Sequence, residues 1–360
     1  MPNWIGDACM ATPMLFALRA RYPDSRITLL CRPVIGELLS SLNSSGSNLF
    51  DESIIWGSHA GADSIGRMGL IRRMRRAKFD YGIMLPGSLW TGVAMWLGGA
   101  KERIGYARDC RRPFLTHPIE VPRQNGKYQP ISAIDYYLKL TSPLGCSAEE
   151  REMKLAISSE DLAERKRHWY ALRLSAKRRT LLINSNAATD PTRCWSVSRL
   201  AKLAQHVIDN SDWQIVVHCG PKERSQADWI ANTLKNERVV SMGSLQELPI
   251  TVSKQVISGV DLVLTTDSGP RHIAVALNKV VISLFGPTEP AWTRTYNVPE
   301  QEIIAPVLNQ PTGPKHHFRN RTRGKHTERV GGNMDAITEE QVISAVMQKI
   351  EEIAAAPLLS

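Results

Sequence analysis

Short β-branched apolar runs alternate along the chain with longer segments whose apolar residues recur at helical spacing. That is the pattern of parallel sheets joined by crossover helices. In the first half, residues 26–31, 53–56 and 81–85 read as strands; in the second half, residues 180–184, 214–218, 239–242, 261–266 and 280–285 do. A charged stretch from 158 to 179 separates the halves, with Glu160, Asp161, Glu164, Arg165, Lys166 and Arg167 expected on a solvated helix face. Two Rossmann-like, doubly wound α/β domains are therefore expected, at 1–165 and 166–335. A final helix at 338–354, with Thr338 as N-cap and acidic residues in its first turn, is expected to pack back on the first domain, as part of a segment 336–360. Residues 306–333 are rich in Pro, Gly and Arg without apolar periodicity and read as a long loop.

Length and composition agree with two cores. A chain of 360 residues exceeds the usual size of one domain, and 42% apolar with 22% charged residues is a globular composition. No apolar run of about eighteen residues occurs, so a membrane span is not expected. The N-terminus carries neither a basic segment nor an apolar core of a signal peptide, which points to the cytoplasm. Six cysteines, Cys9, Cys31, Cys110, Cys146, Cys194 and Cys219, form no CxxC pair, which fits reduced thiols and argues against a clustered metal site.

Charge adds a partner class. Lys and Arg number 45 against 35 Asp and Glu, a formal charge of +10, which implies nucleic acid, an anionic membrane surface or a phosphorylated substrate, or serves solubility alone. With no zinc finger, RRM signature or basic zipper in the chain, nucleic acid is the weakest of these and none is expected as a partner.

Chemistry concentrates after the strand that ends at Thr266. The turn Asp267-Ser268-Gly269-Pro270-Arg271-His272 runs into an apolar helix. Ser268 is an N-cap candidate, Pro270 is tolerated in a first turn, and Gly269 lets a ligand approach the backbone. Helix N-termini offer unpaired N–H groups and a partial positive charge, so this turn can cradle a phosphate. Asp267 would repel a diphosphate if it pointed inward; fixing the turn or bonding a sugar hydroxyl suits it better. His272 can donate to a phosphate or carry a proton, or can be a packed histidine bonding a carbonyl. The next strand ends at Gly286-Pro287-Thr288-Glu289-Pro290, a second polar turn at the same sheet edge, where open α/β sheets bind ligands.

The segment DSGPRHIAVALNKVVISLFGPTEP resembles the heptosyltransferases of glycosyltransferase family nine, which attach heptose from ADP-heptose to the inner core of lipopolysaccharide. The resemblance extends to Cys219-Gly220-Pro221-Lys222-Glu223-Arg224, where it gives Glu223 the nucleotide ribose, and to 186–195, where Thr189 and a basic residue hold the donor phosphates. The family's Lys is replaced here by Arg193, which keeps the charge and adds a planar fork of donors. By the same resemblance Met242, Asp267, Ser268, Gly269, His272, Gly286 and Thr288 belong to the donor side. It implies a GT-B fold with two facing Rossmann-like domains, ADP-heptose as donor, and neither metal nor other cofactor. The family's cysteine-containing segment near the C-terminus is replaced by Gln310-Pro311-Thr312-Gly313-Pro314.

In the first half, Trp4-Ile5-Gly6-Asp7 and Ala11-Thr12-Pro13 look like the family's first loop and helix. There the resemblance makes Asp7 the catalytic base, facing the donor, in a single inverting displacement. A sugar hydroxyl needs a carboxylate within hydrogen-bond reach to take its proton; a first-turn acid of a helix is the structural alternative. Six residues precede Asp7, too few for the family's first strand and loop. Either the chain starts inside a longer frame, which is favoured, or the first sheet lacks a central strand. Residues 85–88 and 103–117 resemble acceptor-domain loops, which places Gly87 and Ser88 at the acceptor. Arg72, Arg73, Arg75 and Arg76 meet either the acidic Kdo sugars and lipid A phosphates of a glycolipid or only solvent. Trp90 and Trp96 read as core. Transfer of another nucleotide-activated sugar and non-catalytic nucleotide-sugar binding are the alternative functions, and peripheral contact with the anionic inner face of the cytoplasmic membrane follows from a glycolipid acceptor.

Overall fold

The computed structural model describes residues 1–44, 48–57, 65–124, 126–184, 191–306 and 332–355. The chain forms two compact units, Met1–Ala156 with Ala291–Tyr296, and Ile157–Pro290 with Asn297–Ser360.

The first unit begins with α1 (Ile5–Met10), α2 (Thr12–Arg21), β1 (Thr28–Cys31), α3 (Pro33–Leu39), α4 (Ser41–Ser44) and β2 (Glu52–Ile55). It continues through α5 (Arg67–Ala77), β3 (Tyr81–Met84), α6 (Leu89–Leu97), β4 (Glu102–Tyr106), β5 (His117–Ile119), the small ladder β6 (Arg123–Gln124) with β7 (Lys127–Tyr128), and α7 (Ala133–Leu138). Its parallel strands fall into two separate sheets, β1-β2 and β3-β4-β5. One expected sheet is thus divided, because among the described residues no strand hydrogen-bonds to both groups. Helix α5 shows the amphipathic logic: Leu70, Ile71 and Met74 share one face and are buried, with Ile54 and Met95 among their neighbours. The helix ends at Lys78, in the left-handed conformation at φ 53°.

The second unit runs α8 (Ser159–Ala171), β8 (Thr180–Asn184), α9 (Val197–Asn210), β9 (Gln214–Val217), α10 (Arg224–Leu234), β10 (Val239–Ser241), α11 (Ile250–Gly259), β11 (Leu262–Thr266), α12 (Gly269–Ala276), β12 (Val280–Phe285), β13 (Glu300–Ile304) and α13 (Glu339–Ala354). Its six strands are all parallel in the order β10-β9-β8-β11-β12-β13, the 3-2-1-4-5-6 order of dinucleotide-binding folds. Every residue of β8, β9 and β11 is buried, as expected of strands covered by helices on both faces. The order reverses between β8 and β11, which makes their carboxyl ends the switch point where such sheets take ligands.

One expectation is corrected. The stretch after 158 is not wholly solvated: Asp161 completes a capping box with Ser158 and is buried against α11, accepting from Lys254 Nζ at 2.9 Å and Gln255 Nε2 at 3.0 Å. Those bonds bind α8 into the second unit. Within the second unit the last helix packs on α9. Trp195 Nε1 donates to Ile337 O just before it, and Lys202 pairs with Glu339 at 3.0 Å. Strands β4, β5 and β13 lay outside the expected set because polar residues or proline interrupt their apolar pattern. In β13, Glu300 and Glu302 alternate onto one face and meet a buried arginine, Arg271.

Candidate active site

The carboxyl ends of β8 and β11 are joined by a buried polar chain. Asn184 Nδ2 donates to Thr265 Oγ1 at 3.0 Å and Ser268 Oγ at 3.2 Å. Its Oδ1 lies 3.2 Å from His218 Nδ1, and His218 Nε2 lies 3.0 Å from Ser253 Oγ. Since the Asn184 amide nitrogen already donates, its oxygen accepts from His218 Nδ1–H, and His218 Nε2 accepts from the Ser253 hydroxyl. Burial pushes the imidazole down to about 4, which keeps it neutral.

That chain decides the state of α12. Ser268 occupies the N-cap with an extended backbone, as its sequence suggests, but its side chain caps no amide. Its hydroxyl donates to Thr266 O at 3.2 Å and accepts from Asn184. The N-cap side chain therefore does not close the first turn of α12, whose N–H groups and dipole favour an anion.

Asp267 is buried beside this turn. Its Oδ2 accepts from Arg193 Nη2 at 3.0 Å, its Oδ1 accepts from Arg271 Nη1 at 3.2 Å, and His272 Nε2 lies 3.7 Å from Oδ1. Burial alone would raise the carboxyl; the His272 ring, Arg271 and Arg193 together more than reverse it and hold it well below the usual carboxylate range. Arg271 has no exposed surface. It reaches Glu300 Oε1 at 2.6 Å and Oε2 at 3.1 Å, donates to Ser283 Oγ, and stacks 4.7 Å from the Phe285 ring centre. The aspartate thus fixes the turn between two guanidinium groups.

Four buried atoms around this edge have no hydrogen-bond partner among the described residues: Arg193 Nε, Thr266 Oγ1, His272 Nδ1 and Thr288 Oγ1. A buried orphan costs about 1–3 kcal/mol unless a ligand or water satisfies it, so their grouping is the mark of a site.

Of the expected donor residues, the structure brings together Arg193, Asp267, Ser268, Gly269, His272 and Thr288. Gly286 follows β12 and is pressed on Met334; a Cβ there would come within 2.6 Å of its Sδ. Glu223 heads α10, after β9, with its Oε2 on the Gly220 amide at 2.7 Å. Met242 follows β10 and is wholly buried. Thr189 lies outside the described residues. Asn184 and His218 were not anticipated as site residues, although each ends a buried apolar run with a polar side chain, which is a usable signal.

In the first unit, Asp7 sits half-buried in the first turn of α1 and bonds the side chain of Tyr137 on α7. Burial, and then the charge of Asp7, raise the Tyr137 hydroxyl well above its ordinary range, so it stays a neutral donor to the carboxylate. Gly87 and Ser88 follow β3. Gly87 leaves room for Arg108, whose Nε would lie 3.0 Å from a Cβ there. Beside them Arg111 is fully buried, donating to the carbonyls of Tyr106 and Pro86 and to Thr91 Oγ1. The α5 arginines are divided: Arg73 pairs with Glu52, Arg75 donates to Leu97 O, and Arg72 and Arg76 are exposed. Trp90 is half-buried, as a core residue can be, whereas Trp96 is 54% exposed, against expectation. No helix among the described residues is long and apolar enough to cross a membrane.

Residues 67–324 match the profile of glycosyltransferase family 9 (heptosyltransferase). Lipopolysaccharide heptosyltransferase 2 of Escherichia coli K12 is 24% identical over 302 residues, covering 81% of this chain and 83% of that protein. Among solved structures, E. coli ADP-heptose lps heptosyltransferase II superposes with a TM-score of 0.75 at 20% identity, covering 98% of both chains. E. coli heptosyltransferase WaaC with ADP-2-deoxy-2-fluoro heptose does so with a TM-score of 0.66 at 16% identity, covering 97% of this chain and 98% of that one.

Proposed function

Because the chain belongs to glycosyltransferase family 9, the heptosyltransferases, we propose that it transfers heptose from ADP-heptose to the Kdo- and heptose-bearing inner core of a lipid A glycolipid. The fold is GT-B, and the enzyme is a glycosyltransferase of the lipopolysaccharide-core type. The observation that carries the donor assignment is the set of orphaned polar atoms, Arg193 Nε, Thr266 Oγ1, His272 Nδ1 and Thr288 Oγ1, grouped around the uncapped α12.

The diphosphate of ADP sits on the first turn of α12, with Arg193 and His272 donating to it. The acceptor hydroxyl oxygen attacks the anomeric carbon as the bond from that carbon to the phosphate oxygen breaks. ADP leaves with the electron pair, and fixed donors lower the energy of the charge that develops on it. The hydroxyl proton passes to Asp7, which Tyr137 orients, and the configuration inverts in one displacement. Glu223 and Thr189 complete the donor contacts, and Gly87 and Ser88 line the acceptor side.

The test is turnover of ADP-heptose with a deacylated inner-core acceptor, alongside ADP binding by calorimetry. Asp7→Asn should keep ADP affinity and lose kcat by about 10²–10⁴-fold. A wild-type protein that binds ADP yet transfers nothing would make the chain a binding protein, and preference for another nucleotide sugar would move the donor assignment.

A further inference from the structure

Resting on the assignment of a membrane glycolipid as acceptor, we propose that the outer faces of α5 and α6 are the surface by which this enzyme docks on an anionic lipid bilayer. Helix α5 turns Leu70, Ile71 and Met74 inward, and its opposite stripe carries Met68, Arg72 and Arg76, all exposed. Helix α6 is apolar almost throughout, Leu-Trp-Thr-Gly-Val-Ala-Met-Trp-Leu, yet exposes Leu89 and Trp96 with half-buried Val93 on the same stripe. Met68 is 65% exposed and Leu89 43%. Large apolar side chains grouped in this way on a soluble surface mark an interaction site rather than scatter.

The two stripes form one surface. Arg67 lies 4.7 Å over the Trp90 ring at the amino ends of the helices, and Arg75 Nε donates to Leu97 O at 2.7 Å at their carboxyl ends. At the same carboxyl ends Met74 closes on Gly98, where a Cβ would come within 2.7 Å of its Cε. The helices therefore run side by side in the same direction, and the aromatic and aliphatic row of α6 lies next to the arginine row of α5.

Charge selects the occupant. From Ile65 to Lys101 the chain carries Arg67, Arg72, Arg73, Arg75, Arg76, Lys78 and Lys101 against Asp80 alone. Asp80 is bound to Lys101 at 2.7 Å, and Arg73 is bound to Glu52 at 2.6 Å. Arg72 and Arg76 remain exposed, and among the described residues neither is ion-paired. Exposed Trp, Leu and Met beside unpaired Arg is the composition of a surface that rests in the headgroup region, with apolar tips below the phosphates and guanidinium groups on them. Docking there would present the first unit to a lipid-anchored acceptor.

Co-sedimentation with vesicles tests this, using phosphatidylcholine alone against phosphatidylcholine with a minor fraction of phosphatidylglycerol. The wild type should partition onto the anionic vesicles and be released by salt. Arg72→Glu/Arg76→Glu should lower partitioning by roughly tenfold or more. Leu89→Ser/Trp96→Ser should also lower it at unchanged charge, while keeping turnover with a soluble, deacylated acceptor. Absence of wild-type binding, or variants that bind as the wild type does, overturns the proposal. Dimerisation of the wild type without vesicle binding, abolished by Leu89→Ser/Trp96→Ser, assigns the face to a second copy and overturns it equally. Failure of the wild type to glycosylate any glycolipid fragment would sink the acceptor assignment, and vesicle binding would still decide the docking face.

Discussion

Asn184 Nδ2 donates to Ser268 Oγ across 3.2 Å, so the end of one central strand holds the hydroxyl that would otherwise cap the helix after the other. The first turn of α12 is left without a cap from Ser268, and its N–H groups and dipole favour an anion. In Asn184→Ala, Ser268 is freed to cap its own helix, and His218 and Thr265 each lose a partner. The expected result is about a tenfold weaker ADP affinity, with unfolding free energy lower by about 1–3 kcal/mol. Calorimetric titration with ADP and urea denaturation measure the two; an unchanged ADP affinity would remove α12 from the donor site.

Arg193 bridges Asp267 through Nη2 and keeps Nε without a partner among the described residues. A charge-assisted bond to a phosphate is worth about 1.5–3 kcal/mol. Arg193→Ala is therefore expected to weaken ADP binding by roughly tenfold to a hundredfold. Arg193→Lys should recover part of this, since a single ammonium keeps the charge but cannot serve Asp267 and a phosphate in the same planar geometry. Equal affinities for wild type, Lys and Ala variants would show that Arg193 serves only the fold.

The second unit was legible in the sequence because its strands are buried on both faces: Thr180–Asn184 and Val280–Phe285 are built on the apolar runs Leu181–Ile183 and Val280–Ile282. The turn from Asp267 to His272 was legible for the same reason, since it interrupts such a run abruptly. Polar strands were not. Glu300 and Glu302 of β13 look like surface residues until Arg271, far away in sequence, is seen to neutralise them. Asp161 deceived in the same way, as a charge on an apparently solvated helix whose partner Lys254 lies on α11. Pairing between distant charges leaves no periodic trace along the chain, and neither does the hydrogen bond from Tyr137 that places Asp7.

The ion cluster under the site makes a stability prediction. Arg271 is fully buried and neutralises Glu300 and Asp267 at once. Removing one partner of a buried pair leaves an uncompensated charge, so Arg271→Ala is expected to cost about 3–5 kcal/mol. Arg271→Met together with Glu300→Gln removes both charges at that contact and should recover much of the loss. Urea unfolding of the single and double variants measures the coupling, and additive effects would mean that the two side chains do not depend on one another.

His218 gives the molecule a pH dependence of definite sign. Its imidazole is lowered from an ordinary 6.5 to about 4 by burial, so between those values the unfolded chain binds a proton that the native chain does not. Stability contributed by the neutral ring is complete above about 6.5, falls as pH drops through the window, and is gone below about 4. A difference of this size corresponds to about 3 kcal/mol. Asp267 acts lower on the scale: its carboxyl is depressed, so its contribution is present above the ordinary carboxylate range and is lost only as pH falls through its depressed value. The two are separated by comparing the wild type with His218→Gln, which can still bond Asn184 and Ser253 but does not titrate. Unfolding free energies measured from pH 7 to pH 4 should slope more steeply in the wild type than in the variant, by about 3 kcal/mol over the window. Parallel curves would mean that the ring takes up its proton in the folded state and that the chain from Ser253 to Ser268 is rearranged by acid.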